Sequence, residues 1–448
     1  VLRLFPLLAL LLLASGAMGQ PPSFGSADDP LELGSAPFSP DRTLAEVYGG
    51  PAFLRAGWRT GVRAEATVLR GSFSASVGTT LHPGSGGLYE NEADDLYDAL
   101  RTIRYIRVQP REERRGVYAR IGPLQGVTLG TGMLARRYKT TAAWDERRIG
   151  AEIASGVSGA RVAGFIGDIT GGSVVGGEVE VPTRLSIGPA RGLRLGLAAA
   201  HDLSLPASGD SSLTGIEATL RGDVFSEGGL SVGPYVSFAQ VLGKGGGIGV
   251  GIEADGADLG SVARAEGRVG LVFSRGRFTP GIIGPLYSVS GGRQRIVAAN
   301  SFYDANLDAF ELAGTPIDSM RGGVDLEVDL RSVAFGRIEG LLYTRRHFGP
   351  RALSAFSLRL AARAGPTRFE FGVEKQGFRS LLGLFGSALG EENTLLLDIS
   401  FPVQALGGAH AFVRSRYGYR RLPDSEAGPQ RYLVERRFEP LIGVRTRW

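Results

Sequence analysis

Over the second half of the chain, apolar and polar positions alternate with a period of two. In GIEATLRGDVF, Ile216, Ala218, Leu220, Gly222 and Val224 share one face, and Glu217, Thr219, Arg221 and Asp223 the other. ARAEGRVGLVF repeats the pattern: Ala263, Ala265, Gly267, Val269, Leu271 and Phe273 oppose Arg264, Glu266 and Arg268. GGVDLEVDL sets Val324, Leu326, Val328 and Leu330 against Asp325, Glu327 and Asp329. AFSLRLAARAG sets Phe356, Leu358, Leu360 and Ala362 against Ser357, Arg359 and Arg363. TRFEFGVEK sets Phe369, Phe371 and Val373 against Arg368, Glu370 and Glu374. This is the signature of an extended strand with one greasy and one wet face. Each unit is close to the ~9–11 residues a tilted strand needs to cross a bilayer, and longer than the ~5–6 of most soluble strands.

The connections add a second rhythm. Counting back from the end, Leu422–Gln430 is long, Gln404–Ala409 short, Phe378–Asn393 long and Gly365–Thr367 tight. Arg346–Arg351 is intermediate, Arg331–Val333 tight, Tyr287–Met320 very long and Arg275–Arg277 tight. Long and short connections alternate when hairpins stand side by side with tight turns at one end and loops at the other. Further back the rhythm falters. Ala257–Gly260 is short where a long loop is expected, and Pro206–Ser212 is long where a turn is expected.

The start of the chain, VLRLFPLLALLLLASGAMGQPP, has a positive residue at Arg3, an apolar run from Leu4 to Ala14, and then small residues. Ala17 and Gly19 stand where a signal peptidase reads if cleavage precedes Gln20. Residues 1–19 are therefore expected to be a cleaved export signal. The run is short of the ~20 apolar residues of a spanning helix. Residues 20–52, rich in Pro, Ser, Gly and Asp, are expected to form a periplasmic tether or small plug, and residues 53–448 one continuous strand-rich domain. The chain has no cysteine, so an exported protein of this sequence has no disulfide framework. Strands with a greasy face can live in a membrane if the sheet closes on itself, because every backbone donor and acceptor is then paired.

The final strand, EPLIGVRTRW, ends on Trp448. Val444 and Thr446 lie on the tryptophan's side, Arg445 and Arg447 on the other, and Gly443 stands five residues before the end. This strand resembles the closing strand of bacterial outer-membrane β-barrels, with Gly443, Val444, Thr446 and Trp448 matching and Leu441 departing from the pattern. The resemblance implies an outer-membrane location and recognition of those four residues by the barrel-assembly machinery. Independently, Trp favours the lipid–water interface, where its ring is buried and its N–H stays wet. The expected fold is an all-β, antiparallel, up-and-down transmembrane barrel of about sixteen strands, within fourteen to twenty, with short periplasmic turns and long outer loops.

The chemistry is less specific. Lysine is confined to Lys139, Lys244 and Lys375, and arginine supplies nearly all the positive charge. The formal charge of +5 is small for this length and points to no nucleic-acid partner. On the alternation, Glu217, Arg221, Arg264, Glu266, Arg268, Asp325, Glu327, Asp329, Arg359, Arg363, Arg368, Glu370 and Glu374 face the lumen, with Arg445 and Arg447. Two readings stay open. A water-filled channel could use these charges to select small solutes. Alternatively, arginine–carboxylate networks could fill a closed barrel that binds a protein through outer loops or the periplasmic tail. Carriage of a long-chain hydrophobe is a variant of the first.

Several motifs fail. LGKGGGIGVG lacks the Ser or Thr of a phosphate-binding loop after Lys244, and its flanks alternate as strands, so a hairpin with a glycine-rich strand is expected. GTGML at Gly130–Leu134 is weaker still. The acidic LYENEADDLYD, Leu88–Asp98, has no calcium-loop spacing, while Leu96, Leu100 and Ile103 follow helical spacing. The four histidines, His82, His201, His347 and His410, form no legible triad; His201, Asp202 and Ser204 are neighbours along one strand. A hydrolase is the minor alternative; no enzyme activity, metal or cofactor is expected.

Overall fold

The computed structural model describes residues 42–447 except 55–56, 90–91, 93–95, 109–116, 142–147, 158, 171–172, 184, 186–189, 204–212, 228, 260–261, 277, 279, 285–286, 288–294, 297–319, 333–337, 349–353, 365–366, 379–392, 404, 406–408 and 422–430. The expected export signal, residues 20–41 and Trp448 lie outside the described residues.

Twenty strands form the wall. They are β1 (Arg42–Leu54), β2 (Gly57–Arg70), β3 (Phe73–Leu81), β4 (Ile103–Val108), β5 (Val117–Gly122), β6 (Gly150–Val157) and β7 (Ala160–Ile166). Then come β8 (Val174–Pro182), β9 (Arg191–Asp202), β10 (Thr214–Asp223), β11 (Leu230–Val241), β12 (Gly245–Leu259) and β13 (Val262–Gly276). The wall ends with β14 (Met320–Ser332), β15 (Ile338–Phe348), β16 (Ser354–Ala364), β17 (Thr367–Phe378), β18 (Asn393–Val403), β19 (Ala409–Arg421) and β20 (Arg431–Arg447). Each pairs antiparallel with its sequence neighbour, and β1 pairs with β20, so the sheet closes and has no edge.

The barrel therefore has twenty strands rather than about sixteen. The strands from β4 to β8 are six to nine residues long. Several of their inward positions carry Ala154, Ala163, Phe165 and Val174 instead of charges. With apolar residues on both faces, the period-two signal fades. The wall also begins earlier than expected. Residues 42–52 belong to β1, with Glu46 and Tyr48 buried and Val47 and Phe53 exposed. Pro51 and the paired Gly49 and Gly50 give that strand the look of a turn. Pro51 stands opposite Pro440 in a seam that pairs Gly49 with Ile442 and Phe53 with Phe438 but leaves the positions between them unpaired. Neither proline has an N–H to donate there.

The outer surface is apolar. Trp58, Leu197, Ile216, Phe238, Ile252, Leu271, Ile442 and Val444 are all exposed, while their strand neighbours point inward. Aromatic rings mark both rims: Phe53, Trp58 and Phe438 at one, Phe73, Phe225, Phe369 and Phe401 at the other. Phe53 and Trp58 meet edge-on at 5.3 Å. Such a belt with aromatic girdles suits acyl chains between two headgroup layers. No described helix is long and apolar enough to span a membrane.

The two rims differ in their connections. At the rim where β1 begins and β20 ends, none is longer than 109–116 or 183–190. The opposite rim carries 82–102, 123–149, 203–213, 277–319, 379–392 and 422–430. Short turns at one rim and longer loops at the other are the usual arrangement of closed transmembrane barrels. The faltering rhythm now has an explanation. Phe278, Ile282, Ile283 and Tyr287 stand on no wall strand; they belong to the connection between β13 and β14 and pack in the buried core. Counting a strand there inverts the polarity of everything before it. In the true order, 260–261 joins two strands at the short-turn rim and 203–213 joins two at the opposite rim.

Candidate functional site

The lumen holds a folded insert. Between β5 and β6 the chain turns inward, and Gln125–Val127 pairs with Tyr138–Lys139 as a small hairpin. Residues 278–287 meet it: Gly281 N–H donates to Met133 O at 2.7 Å, Ile283 N–H to Leu134 O at 3.0 Å, and Arg136 N–H to Ile283 O at 3.0 Å. Leu124, Val127, Leu129, Met133, Leu134, Phe278 and Ile283 are all buried in one apolar core with inward residues of β6 to β13.

Glycines in the wall make room for this insert. A Cβ at Gly150 would lie 2.6 Å from Leu124, at Gly176 2.7 Å from Leu129, at Gly215 2.6 Å from Leu134 and at Gly247 2.9 Å from Phe278. Contacts under about 3 Å are too close for carbon, so a side chain at these sites would push the insert away. The glycine-rich LGKGGGIGVG is thus a hairpin turn followed by β12, as expected, with inward glycines under Phe278 and Met133.

The tip of the insert, GTGML, is pinned by charge. The Glu217 carboxylate accepts from Thr131 N–H at 2.6 Å, Thr131 Oγ1 at 2.7 Å, and the N–H groups of Met133 and Leu134 at 3.2 Å each. Gly130 N–H donates to Glu178 at 2.5 Å. Arg221 donates to Gly130 O and Arg268 to Thr131 O, both at 2.7 Å. Gly130 and Gly132 have φ of 55° and 80°, the left-handed region that glycine enters readily. The motif that failed as a phosphate loop is an anion cradle after all, and its anion is a carboxylate of the same chain.

Farther along the insert, Arg136 donates to Asp325 at 3.0 Å and stacks 4.3 Å from the Tyr343 ring. Asp325 also accepts from Arg345. Lys139 forms an ion pair with Glu374 on β17. Arg359 lies 3.5 Å from Glu370.

A second polar network ties β1, β2, β18, β19 and β20. Asp398 accepts from Arg414 and Arg416 at 2.9 Å each, Arg445 reaches Glu46 at 2.5 Å, and Arg63 pairs with Glu65 at 2.5 Å. Above it, His82 sits in the outer connection 82–102. Its Nε2 is 2.6 Å from Glu439, its Nδ1 meets Glu92, and its backbone N–H donates to Glu92 at 2.7 Å. Burial pulls the His82 pKa down, but the hydrogen bonds and charges of Glu439 and Glu92 outweigh it, and the net shift is upward.

Of the residues singled out by alternation, Glu217, Arg221, Arg268 and Asp325 hold the insert, and Arg359, Glu370 and Glu374 stand on the wall facing its far side. Glu266 is half-buried and pairs in register with Asp255. The side chains of Arg264, Glu327, Asp329, Arg363, Arg368, Thr446 and Arg447 lie outside the described ones; the backbone register sets Arg268 opposite Glu327, Glu266 opposite Asp329 and Arg363 opposite Arg368. Gly443 pairs with Tyr48 and Val444 with Val47, and Val444 faces outward. His201 bonds Thr214 at 2.8 Å, whereas Asp202 accepts from Tyr287 at 2.6 Å; the two are not joined. Ser204 lies outside the described residues. In the acidic stretch, Leu96–Arg101 is a short helix, and Glu92 serves His82. Asp398 was legible by alternation, since Leu395, Leu397, Ile399 and Phe401 flank it. Lys139, Arg136 and His82 lie off the strands, where no period marks them.

A closed, antiparallel wall with an apolar belt and a charged, partly filled lumen defines the class: a porin-like β-barrel of the outer-membrane kind. No protein-family model matches the chain, and no curated protein matches it. Among solved structures it is similar to OccK11 (OpdR) of Pseudomonas aeruginosa, at 12% identity and a TM-score of 0.32, covering 91% of this chain and 95% of that one. OccAB2 of Acinetobacter baumannii gives 12% identity and a TM-score of 0.30 over 91% and 97%. CdiB of Acinetobacter baumannii gives 7% and 0.26, with 91% of this chain covering 60% of that protein's length. Values this low assign the chain to none of these proteins.

Proposed function

We propose that this protein is an outer-membrane channel that passes small solutes through the part of its lumen not occupied by the insert. One observation supports the reading most strongly. The insert packs its apolar side on residues of β6 to β13, while Arg136 and Lys139 pair with Asp325 on β14 and Glu374 on β17. A barrel of twenty strands is wider than the sixteen- to eighteen-stranded walls that leave an aqueous channel of their own. An insert that partly fills such a lumen turns a wide pore into a selective one. The pore-lining set then includes Arg359, Glu370 and Glu374, whereas Glu217, Arg221, Arg268 and Asp325 serve it by holding the insert in place. Export would use the leader at 1–19, and the assembly machinery would read Gly443, Val444, Thr446 and Trp448.

Purified protein in a planar bilayer tests this. Stepwise currents, and swelling of liposomes in small sugars or amino acids, are the expected result. A folded barrel that stays silent in both assays would refute the channel and favour a closed barrel that binds a partner by its loops.

A further inference from the structure

We infer that Lys139 and Glu374 form a charged bridge across the lumen and set the ion preference of the channel. The inference rests on the channel reading and names the pair that selects. Lys139 stands on the insert between β5 and β6; Glu374 stands on β17. In the order of the closed sheet, β17 is eight strands from β5 through the β1–β20 seam and eleven from β6 the other way. In a ring of twenty, that is nearly the opposite wall. The insert and this side-chain contact together therefore span the bore, and a solute has to pass beside the bridge or displace it.

The bridge differs from the Arg136–Asp325 anchor in its access to water. The side chains of Arg136 and Asp325 are 1% and 3% exposed, so that contact is buried structure. The side chains of Lys139 and Glu374 are 20% and 11% exposed. Their neighbours are polar: Thr394 Oγ1 donates to Glu374 at 3.4 Å, and Arg359 and Arg137 act on Lys139 by charge. One positive and one negative charge in this bridge balance each other. Removing either leaves a single uncompensated charge facing the path.

The test is the reversal potential of single channels in a salt gradient. Glu374→Gln should shift the permeability ratio toward anions and Lys139→Met toward cations. Each shift should be about fivefold, the effect of one unit charge a few ångströms away in a water-like dielectric. The double variant should return close to the wild type. Because the chain lacks cysteine, Lys139→Cys carries its sole thiol. A cationic thiol reagent added to open, folded channels of that variant should restore wild-type selectivity, and an anionic one should drive it further toward cations. A conducting wild type whose reversal potential is unmoved by either substitution and by either reagent overturns the bridge and leaves the channel standing. A wild type that never conducts overturns both.

Discussion

Glu217→Ala should loosen the insert without opening the wall. The carboxylate accepts four hydrogen bonds from Thr131, Met133 and Leu134 and is 1% exposed. Deleting it leaves those donors over a cavity, together with the nearby Arg221 and Arg268 cations. Removing one partner of a buried charged network costs ~3–5 kcal/mol. Against this, the insert keeps the burial of Leu124, Leu129, Met133 and Leu134, which stabilises it by ~1.5–3 kcal/mol per side chain. The insert should therefore stay docked on average while its docked-to-undocked ratio falls by a factor of about 10²–10³, at 1.4 kcal/mol per decade. Hydrogen exchange of peptides covering 123–141 should accelerate by that factor, while peptides from β12 and β13 keep their protection. Glu217→Gln keeps the shape and half of the acceptors and should fall between. Unchanged exchange at 123–141 in the alanine variant would show that the charge cradle does not hold the insert, and that apolar packing alone does.

Other expectations follow from the same geometry. Gly215→Val puts a methyl-bearing carbon against Leu134, and overpacking of ~1–3 kcal/mol should speed exchange at 123–141; adding Leu134→Ala should restore protection, and failure of that rescue would disprove the space argument. Asp398→Asn strips Arg414 and Arg416 of their shared carboxylate, so the heat-induced shift of the folded band on gels should move to lower temperature; an unmoved transition would mean the network contributes nothing to the wall. His82 has a folded pKa above its unfolded value near ~6.5, so the stabilisation it gives is complete below that pH and is lost as pH rises through the folded pKa. Proteolysis of the outer connection 82–102 should accordingly quicken with rising pH, and His82→Gln should abolish that dependence. A pH-independent rate in the wild type would count against the His82 tie.

How much of this was legible depended on which face a residue served. In β10, β13, β14, β16 and β17 the outer face is apolar and the inner face charged, so alternation alone located Glu217, Arg268, Asp325, Arg359 and Glu374. In β6 to β9 part of the inner face carries Ala154, Ala163, Phe165, Val174, Ala198 and Ala200 because it receives an apolar insert, and the contrast between faces weakens. The strand count fell short there. The insert itself has no period. Its apolar residues read as strand or loop, and the segment around Phe278–Tyr287 passed for a wall strand and inverted the loop rhythm behind it. At Gly150, Gly176 and Gly215 in the wall, the space a side chain would fill is taken by a leucine from the insert. That partnership joins residues far apart in sequence and has no local mark.

If the apolar face of each strand touches acyl chains while its neighbour faces an aqueous or filled interior, single cysteines placed one at a time at positions 268–274 of β13 and spin-labelled in lipid-reconstituted protein will alternate in their surroundings. Positions 269, 271 and 273 should favour oxygen, the lipid-soluble relaxant, over a water-soluble nickel complex, and 268, 270, 272 and 274 should not. Equal access of the nickel complex to all seven positions would contradict it.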